Sequence, residues 1–263
     1  MAESYHFIFI FLLILTTAVE FYLGKRQKNF VLKNKNNVPT AFTKIIKLTD
    51  HKKAADYTVS KINFNSIELI FGAIILYLFT LGGGINLING LMGQYFENPL
   101  LNGAIIISSI FVSLHLIGLP STIYQTFVIE TKYGFNKITP KLFFIDQIKS
   151  VFIMIIFSVV VSFAALWILS ELGNAWWLWL WIFLSILSLI GVALAPVLKQ
   201  LFNKYTPIRD KNLKKNIEKL LKRCGFESSG LFEMNGSLRS THGNAFFGGF
   251  GKTKRIIFFD TLL

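Results

Sequence analysis

Cysteine is almost absent: Cys224 is the single one in 263 residues. That excludes a disulfide framework and a cysteine-ligated zinc ribbon. Acidic charge is scarce, with 14 Asp and Glu against 27 Lys and Arg, a net of +13. Charge of either sign is thin, because Asp, Glu, Lys and Arg make up 16% of the chain, against about a quarter in a soluble domain. What is present is apolar: 53% of residues are hydrophobic and the mean hydropathy is +0.54. So much apolar surface excludes intrinsic disorder. A basic excess can signal nucleic acid, but in an apolar chain it points to asymmetric membrane loops.

Long uncharged runs give the class. Five appear, over Phe7–Leu23, Leu69–Ile88, Leu101–Tyr124, Val151–Leu169 and Trp177–Leu198. Each approaches the 20 or so apolar residues that span a bilayer. Buried helices of a soluble core would need far larger polar flanks than this chain has. Lys and Arg then set the orientation. The segment 24–66 holds ten, 125–150 holds four and the tail from Lys199 holds thirteen, whereas residues 1–6 and the segments 94–100 and 170–176 hold none. All 27 therefore fall on one side of a five-span arrangement. Lys and Arg resist translocation, so the N-terminus is expected outside and the tail in the cytoplasm. The first span lacks a basic n-region and an A-x-A-like site, and Lys25, Arg26 and Lys28 follow it. It reads as a retained anchor rather than a cleaved signal peptide. Trp176, Trp177, Trp179 and Trp181 cluster at the outer end of the fifth span, as an aromatic belt does.

A few polar residues interrupt the spans. Glu20 lies near the inner end of the first, where it can meet Lys25 or Arg26. Ser108, Ser109, Ser113 and His115 lie in the third. For His115 two readings stay open: a hydrogen-bonded core imidazole, or a group facing a wet cavity. Gly82, Gly83 and Gly84 weaken the second span and mark either a close helix contact or a bend.

The basic segments carry local signals. Thr139 before Pro140 suits an N-cap and first helical position, opening a short helix into the fourth span. In the tail, Asp210 caps a helix running to Cys224, with Leu213, Ile217, Leu220 and Leu221 on one face and Gly225 as its stop. Leu231–Met234, Asn244–Phe247 and Arg255–Phe259 read as strands, the last two pairing as a hairpin through GGFGKTK. Gly251-Lys252-Thr253 imitates the end of a phosphate-binding loop, but Phe246 stands where that motif needs glycine, and a strand rather than a helix follows. Asn235-Gly236-Ser237 matches a glycosylation sequon on the side where it stays unmodified. Asp260 and Thr261 form a cap pair with only Leu262 and Leu263 after them, so the sequence is expected to be truncated or one piece of a split protein. The fold class is thus mainly α: a polytopic helical membrane domain of five spans over 1–198, with cytoplasmic loops 24–66 and 125–150, and a small, incomplete α+β cytoplasmic module over 199–263.

Several stretches carry a family resemblance. They are Glu20 with Arg26-Gln27, Val38-Pro39, AADYTVSKINF (54–64), LPSTIYQTFVIETKYGFNKIT (119–139), NKYTPI, and NGSLRSTHGNAFFGGFGKTKRIIFFDTLL (235–263). The chain resembles the N-terminal part of the integral-membrane CAAX prenyl endopeptidases, the type 1 zinc metalloproteases. The resemblance implies a helical barrel of seven spans around a water-filled chamber, with a metalloprotease module at its cytoplasmic end. It also implies zinc as the cofactor of the complete protein, held by an HExxH helix and a later glutamate. His6, His51, His115 and His242 are the only histidines and no two stand four apart. This chain therefore offers no such helix, no catalytic or metal residue is assigned in it, and alone it is expected to be inactive.

By the same resemblance, the segment 242–247 is the edge strand of the protease sheet. Asn244, Ala245 and Phe246 are then substrate-binding residues, with Asn244 hydrogen-bonding the substrate backbone. Strand addition gives affinity without demanding one sequence, and an amide both donates and accepts. The competing reading makes Asn244 a turn residue capping the hairpin. Arg239 and His242 read as solvated loop positions. Gly243 and Phe246 stand where the family often has serine and tyrosine, which leaves side-chain preference open. The expected partners are a peptide or protein C-terminus, prenylated in family substrates, the lipid bilayer, and a missing C-terminal half; nucleic acid is not expected. Two rivals remain: a non-catalytic membrane binding or regulatory protein, and a transporter, for which no internal repeat speaks.

Overall fold

The computed structural model describes residues 2–93, 95–249 and 254–263, without the side chains of Ala2, Glu3 and Pro196. Five helices are long and apolar enough to cross a membrane: Ser4–Asn34, Leu48–Thr80, Pro99–Tyr133, Pro140–Glu171 and Gly173–Ala195. They correspond to the five expected spans, and a small sheet follows them. Two units emerge, one of residues 1–97 and 105–133 and the other of 98–104 and 134–263.

In the first unit, α1 (Ala2–Asn34) packs on α2 (Leu48–Thr80). Much of the expected loop 24–66 is therefore helix, and the true connection is short. It is clasped by Lys35 Nζ on Asp56 Oδ1 at 2.6 Å and by His51 Nε2 at 3.1 Å from the Asn34 carbonyl. The second expected span ran through to Ile88, but the glycines end it. Gly83 takes a φ of +82°, and a separate α3 runs Gly84–Met92. A left-handed residue is cheap only for glycine, so the open alternative resolves as a break. Glu20 is exposed and, among the described residues, meets neither Lys25 nor Arg26 in an ion pair.

Helix α4 (Pro99–Tyr124) carries Pro120 in its interior. It passes into a π-helical turn, Gln125–Glu130, and the short α5, Thr131–Tyr133. The wider turn changes register and aims polar groups at α2. Tyr57 donates to Glu130 Oε1 at 2.6 Å, the Ser60 and Tyr133 hydroxyls lie 2.7 Å apart, and Tyr133 donates to the Asp56 carbonyl at 2.9 Å. Tyr57 and Tyr133 also meet edge to face, with centroids 5.2 Å apart. His115 Nε2 in α4 is buried with no hydrogen-bond partner among the described residues.

The second unit is built on α6 (Pro140–Glu171) and α7 (Trp176–Gln200). Thr139 caps α6, its Oγ1 accepting from the Leu142 N–H at 3.3 Å. The helix is continuous from there, where the sequence suggested a short helix before the span. Gly103 lets helices approach closely, because a Cβ there would sit 2.8 Å from Leu166 Cδ1; small residues serve this purpose inside membranes. The four tryptophans at the start of α7 are between 42% and 66% exposed, in keeping with anchors rather than core.

After α7 come β1 (Tyr205–Pro207), α8 (Lys211–Arg223), β2 (Gly230–Met234), β3 (Ala245–Gly248) and β4 (Arg255–Phe259). Asp210 Oδ1 accepts from the N–H groups of Asn212 and Leu213, and Gly225 closes α8 at φ +64°. Both caps are as the sequence implies. The sheet order is β1-β2-β4-β3, antiparallel except for the parallel β2–β4 pair. Strand β1 was missed: it is three residues long and contains a proline. Of the expected GGFGKTK turn and its phosphate-loop imitation, residues 250–253 lie outside the described residues.

Candidate substrate edge

Strand β3 lies at one end of the sheet order, paired on one side with β4. Among the described residues no strand pairs with its other side. The expected hairpin is therefore present and its first strand is an edge. Alternation then decides which backbone groups are open. The Phe259 N–H donates to the Asn244 carbonyl at 2.9 Å, and Phe246 stands opposite Ile257. In an antiparallel ladder the bonded pairs alternate, so Asn244 and Phe246 turn inward to β4. Ala245 and Phe247 turn their N–H and C=O groups out to the free side.

Asn244 is exposed, and its Oδ1 accepts from the outward N–H of Ala245 at 2.8 Å. The side-chain amide thus covers the first open donor of the edge. This contact is of the kind that the turn-capping reading of Asn244 expects. The side chains divide between the two faces of the sheet. Phe246 meets Phe259 edge to face at 6.3 Å and carries the Lys199 ammonium 3.6 Å from its ring centre. Phe247, 64% exposed, meets Phe226 at 5.5 Å on the opposite face. Phe246 therefore packs its ring against the end of α7 and turns its backbone groups to β4, so the open backbone of the edge is that of Ala245 and Phe247. Ile257, fully buried, and Met234, 4% exposed, form the core on the same face as Phe246.

The segment leading into β3 is tightly held, which the sequence did not reveal. Arg239 was expected in solvent. Instead its Nε and Nη2 reach the two carboxylate oxygens of Asp146 at 2.8 and 3.1 Å, and Nη1 reaches Asn203 Oδ1 at 3.1 Å. Its partners lie 93 and 36 residues away, so no local pattern could have announced them. His242 was also expected in solvent. It is exposed, as expected, and its ring also stacks on Phe135 with centroids 4.2 Å apart. Backbone bonds from Lys137 to Arg239 and from Thr241 to Phe135 tie the two stretches together.

Asp260 accepts from both the N–H and the hydroxyl of Ser237. Thr261 Oγ1 donates to the His242 carbonyl at 2.9 Å. Asn235, the sequon residue, accepts from the Lys204 N–H at 2.7 Å. Every flank of the edge is thus tied into this unit.

The donors for zinc do not fit. Among the described residues no group of three His, Cys, Asp or Glu side chains gathers as a metal site. These residues order a strand and present backbone groups.

Comparison with known proteins gives the family and the fold. The family described as CAAX prenyl protease N-terminal, five membrane helices, matches residues 27–204, and Peptidase family M48 matches residues 207–263. The CAAX prenyl protease 1 homolog of Arabidopsis thaliana is 32% identical over 237 residues, which are 86% of this chain and 55% of that protein. The CAAX prenyl protease 1 homolog of Homo sapiens is 33% identical over 256 residues, 93% of this chain and 53% of that protein. The crystal structure of S. mikatae Ste24p superposes with a TM-score of 0.84 at 28% identity, covering 95% of this chain and 59% of that one. The chain spans about half the length of the curated relatives it matches. With the first match alone covering residues 27–204, the chain belongs to the CAAX prenyl protease family of M48 membrane metallopeptidases.

Proposed function

We propose that these residues form the membrane scaffold and the substrate edge of a zinc metalloendopeptidase that cleaves near protein C-termini. The substrates are proteins ending in a prenylated cysteine motif, as the names of the relatives suggest. The functional division falls at residues 198 and 199, between the five spans and the tail module. The N-terminus is outside and the module cytoplasmic, a reading that rests on the placement of all 27 Lys and Arg.

The observation that supports the peptide role is the open side of β3. A guest strand laid against it pairs with the outward groups of Ala245 and Phe247, while the Asn244 amide swings from the Ala245 N–H to a guest peptide unit. Backbone pairing holds many sequences in one register. Among the described residues no zinc donors gather, so in this reading the metal is held by residues other than these. A peptide-docking protein without hydrolysis is the second reading, favoured by the absence of any histidine pair four apart.

Hydrogen exchange on the detergent-solubilised protein tests the edge directly. A farnesylated peptide carrying a C-terminal CAAX sequence should slow exchange at the amides of Ala245 and Phe247. The Phe246 amide, already turned to β4, should change little. Equal exchange with and without peptide at Ala245 and Phe247 would remove the support for this reading.

A further inference from the structure

A cleft of about 480 Å³ opens in the first unit between α2 and the turn that follows α4. It has the size of a small-ligand site. Its α2 wall is Ser60, Asn63, Phe64 and Ile67, and Tyr124 and Lys132 face it from the other side. Residues three, four and seven apart share one helical face, and Ser60 to Ile67 spans roughly 10 Å along it.

The character of the wall changes over that length. Ser60, Asn63 and Lys132 make one end polar. Phe64 and Tyr124, stacked 5.2 Å apart at 27°, and Ile67 make the other apolar. The change coincides with the charge boundary of α2: Lys61 and Glu68 are its last charged residues, and none follows until Glu97. The cleft thus straddles the level where the basic segments meet the uncharged span. The π-helical turn Gln125–Glu130 forms part of its wall, and such turns often mark functional sites.

The charges are arranged for an anion. Lys132 is exposed, lies 5.5 Å from the Tyr133 ring centre, and forms no ion pair among the described residues. Of the two acids of this region, Asp56 is neutralised by Lys35, and Glu130 is turned to the Tyr57 hydroxyl and is not among the residues lining the cleft. A basic pocket between spanning helices on the positive side of a membrane suits an anionic headgroup.

We propose that this cleft binds an anionic phospholipid from the leaflet on the basic side of the spans. Lys132 and the Asn63 amide meet the phosphate, and an acyl chain lies along Phe64, Tyr124 and Ile67. One lysine is too weak a site for free phosphate in water. A lipid adds apolar contact and the high local concentration of the membrane. A net negative headgroup also avoids placing a choline beside Lys132.

Native mass spectrometry of the full chain, purified from mixed phosphatidylcholine and phosphatidylglycerol micelles, tests this. The protein should retain phosphatidylglycerol in preference to phosphatidylcholine. Lys132→Glu should lower that retention about fivefold, the worth of one lysine at an anionic surface. Lys215→Glu, on α8 in the other unit, should leave it unchanged. If Lys132→Glu does not yield folded protein, Asn63→Leu at an exposed position carries the same comparison. Equal retention by wild type and variant would overturn the proposal. So would no preference between the two lipids, or displacement of phosphatidylglycerol by millimolar inorganic phosphate, which would mark a site for the free anion.

Discussion

Arg239 grips Asp146 with two parallel hydrogen bonds, Nε to Oδ2 at 2.8 Å and Nη2 to Oδ1 at 3.1 Å. The side chains are only 21% and 13% exposed, and the pair ties the segment before β3 to α6. Removing one partner strands the other charge in a poorly hydrated place, a loss between that of a surface pair and a fully buried one. Arg239→Ala and Asp146→Asn should each cost about 2 kcal/mol. Arg239→Lys should recover only part, since an ammonium lacks the planar fork. Replacing both, with Arg239→Met and Asp146→Leu, should cost less than either single change. Thermal unfolding of the detergent-solubilised variants measures this. Additive losses in the double variant would mean the two residues act separately.

The spans, both tail caps and three of the four strands follow from local pattern. An uncharged run of span length, Asp210 before an amphipathic stretch, and a β-branched run at Arg255–Phe259 each carry their own signal. The resemblance located the edge, and the sheet order places β3 where an edge must be. The anchoring of that edge was not legible. Asp146 and Asn203 meet Arg239 only through the fold, so a basic residue in a polar stretch read as solvent, and the Phe135 stack on the exposed His242 carried no local signal either. The π-helical turn was hidden for a related reason. Its register is set by Tyr57 and Ser60 on another helix, more than 70 residues away in sequence.

Asn244 is poised between two roles, and one substitution separates them. Its Oδ1 accepts from the Ala245 N–H at 2.8 Å, the donor a guest strand would use. If the amide swings to hold the guest, Asn244→Ala loses a hydrogen bond worth roughly 0.5–1.5 kcal/mol. That corresponds to peptide affinity about two- to twelvefold weaker. Fluorescence anisotropy with a labelled farnesylated peptide reads the change. Tighter binding would show that the amide only plugs the edge.

Tyr205 opens β1 with its hydroxyl buried and without a hydrogen-bond partner among the described residues. Burial raises its phenol above the ordinary range, because the phenolate would lose hydration. A pKa raised in the folded state gives a contribution that is complete below the unfolded value, about 10. It is lost as the pH climbs through that value toward the folded one. Tyr205→Phe keeps the ring and deletes the orphan group. It should stabilise by about 1 kcal/mol at neutral pH and flatten the decline in stability above pH 10. Unfolding midpoints of both proteins between pH 7 and 11 test this; identical alkaline slopes would place the decline elsewhere.

The sidedness of the chain is a consequence of charge and can be read with the chain's own cysteine. Cys224 is exposed at the C-cap of α8, among six basic residues of that helix. Glu97 is exposed in a segment, 94–100, that carries no Lys or Arg. Moving the thirteen basic residues of the tail across a bilayer is unfavourable, so the two positions should lie on opposite sides. In intact cells an impermeant maleimide should label Glu97→Cys, in a Cys224→Ser background, without permeabilisation. Native Cys224 should label only after it. The reverse pattern would invert the orientation and move β3 to the outer face, away from the prenylated C-termini of cytoplasmic proteins. The substrate assignment therefore stands or falls with this measurement, even if the edge itself binds peptide.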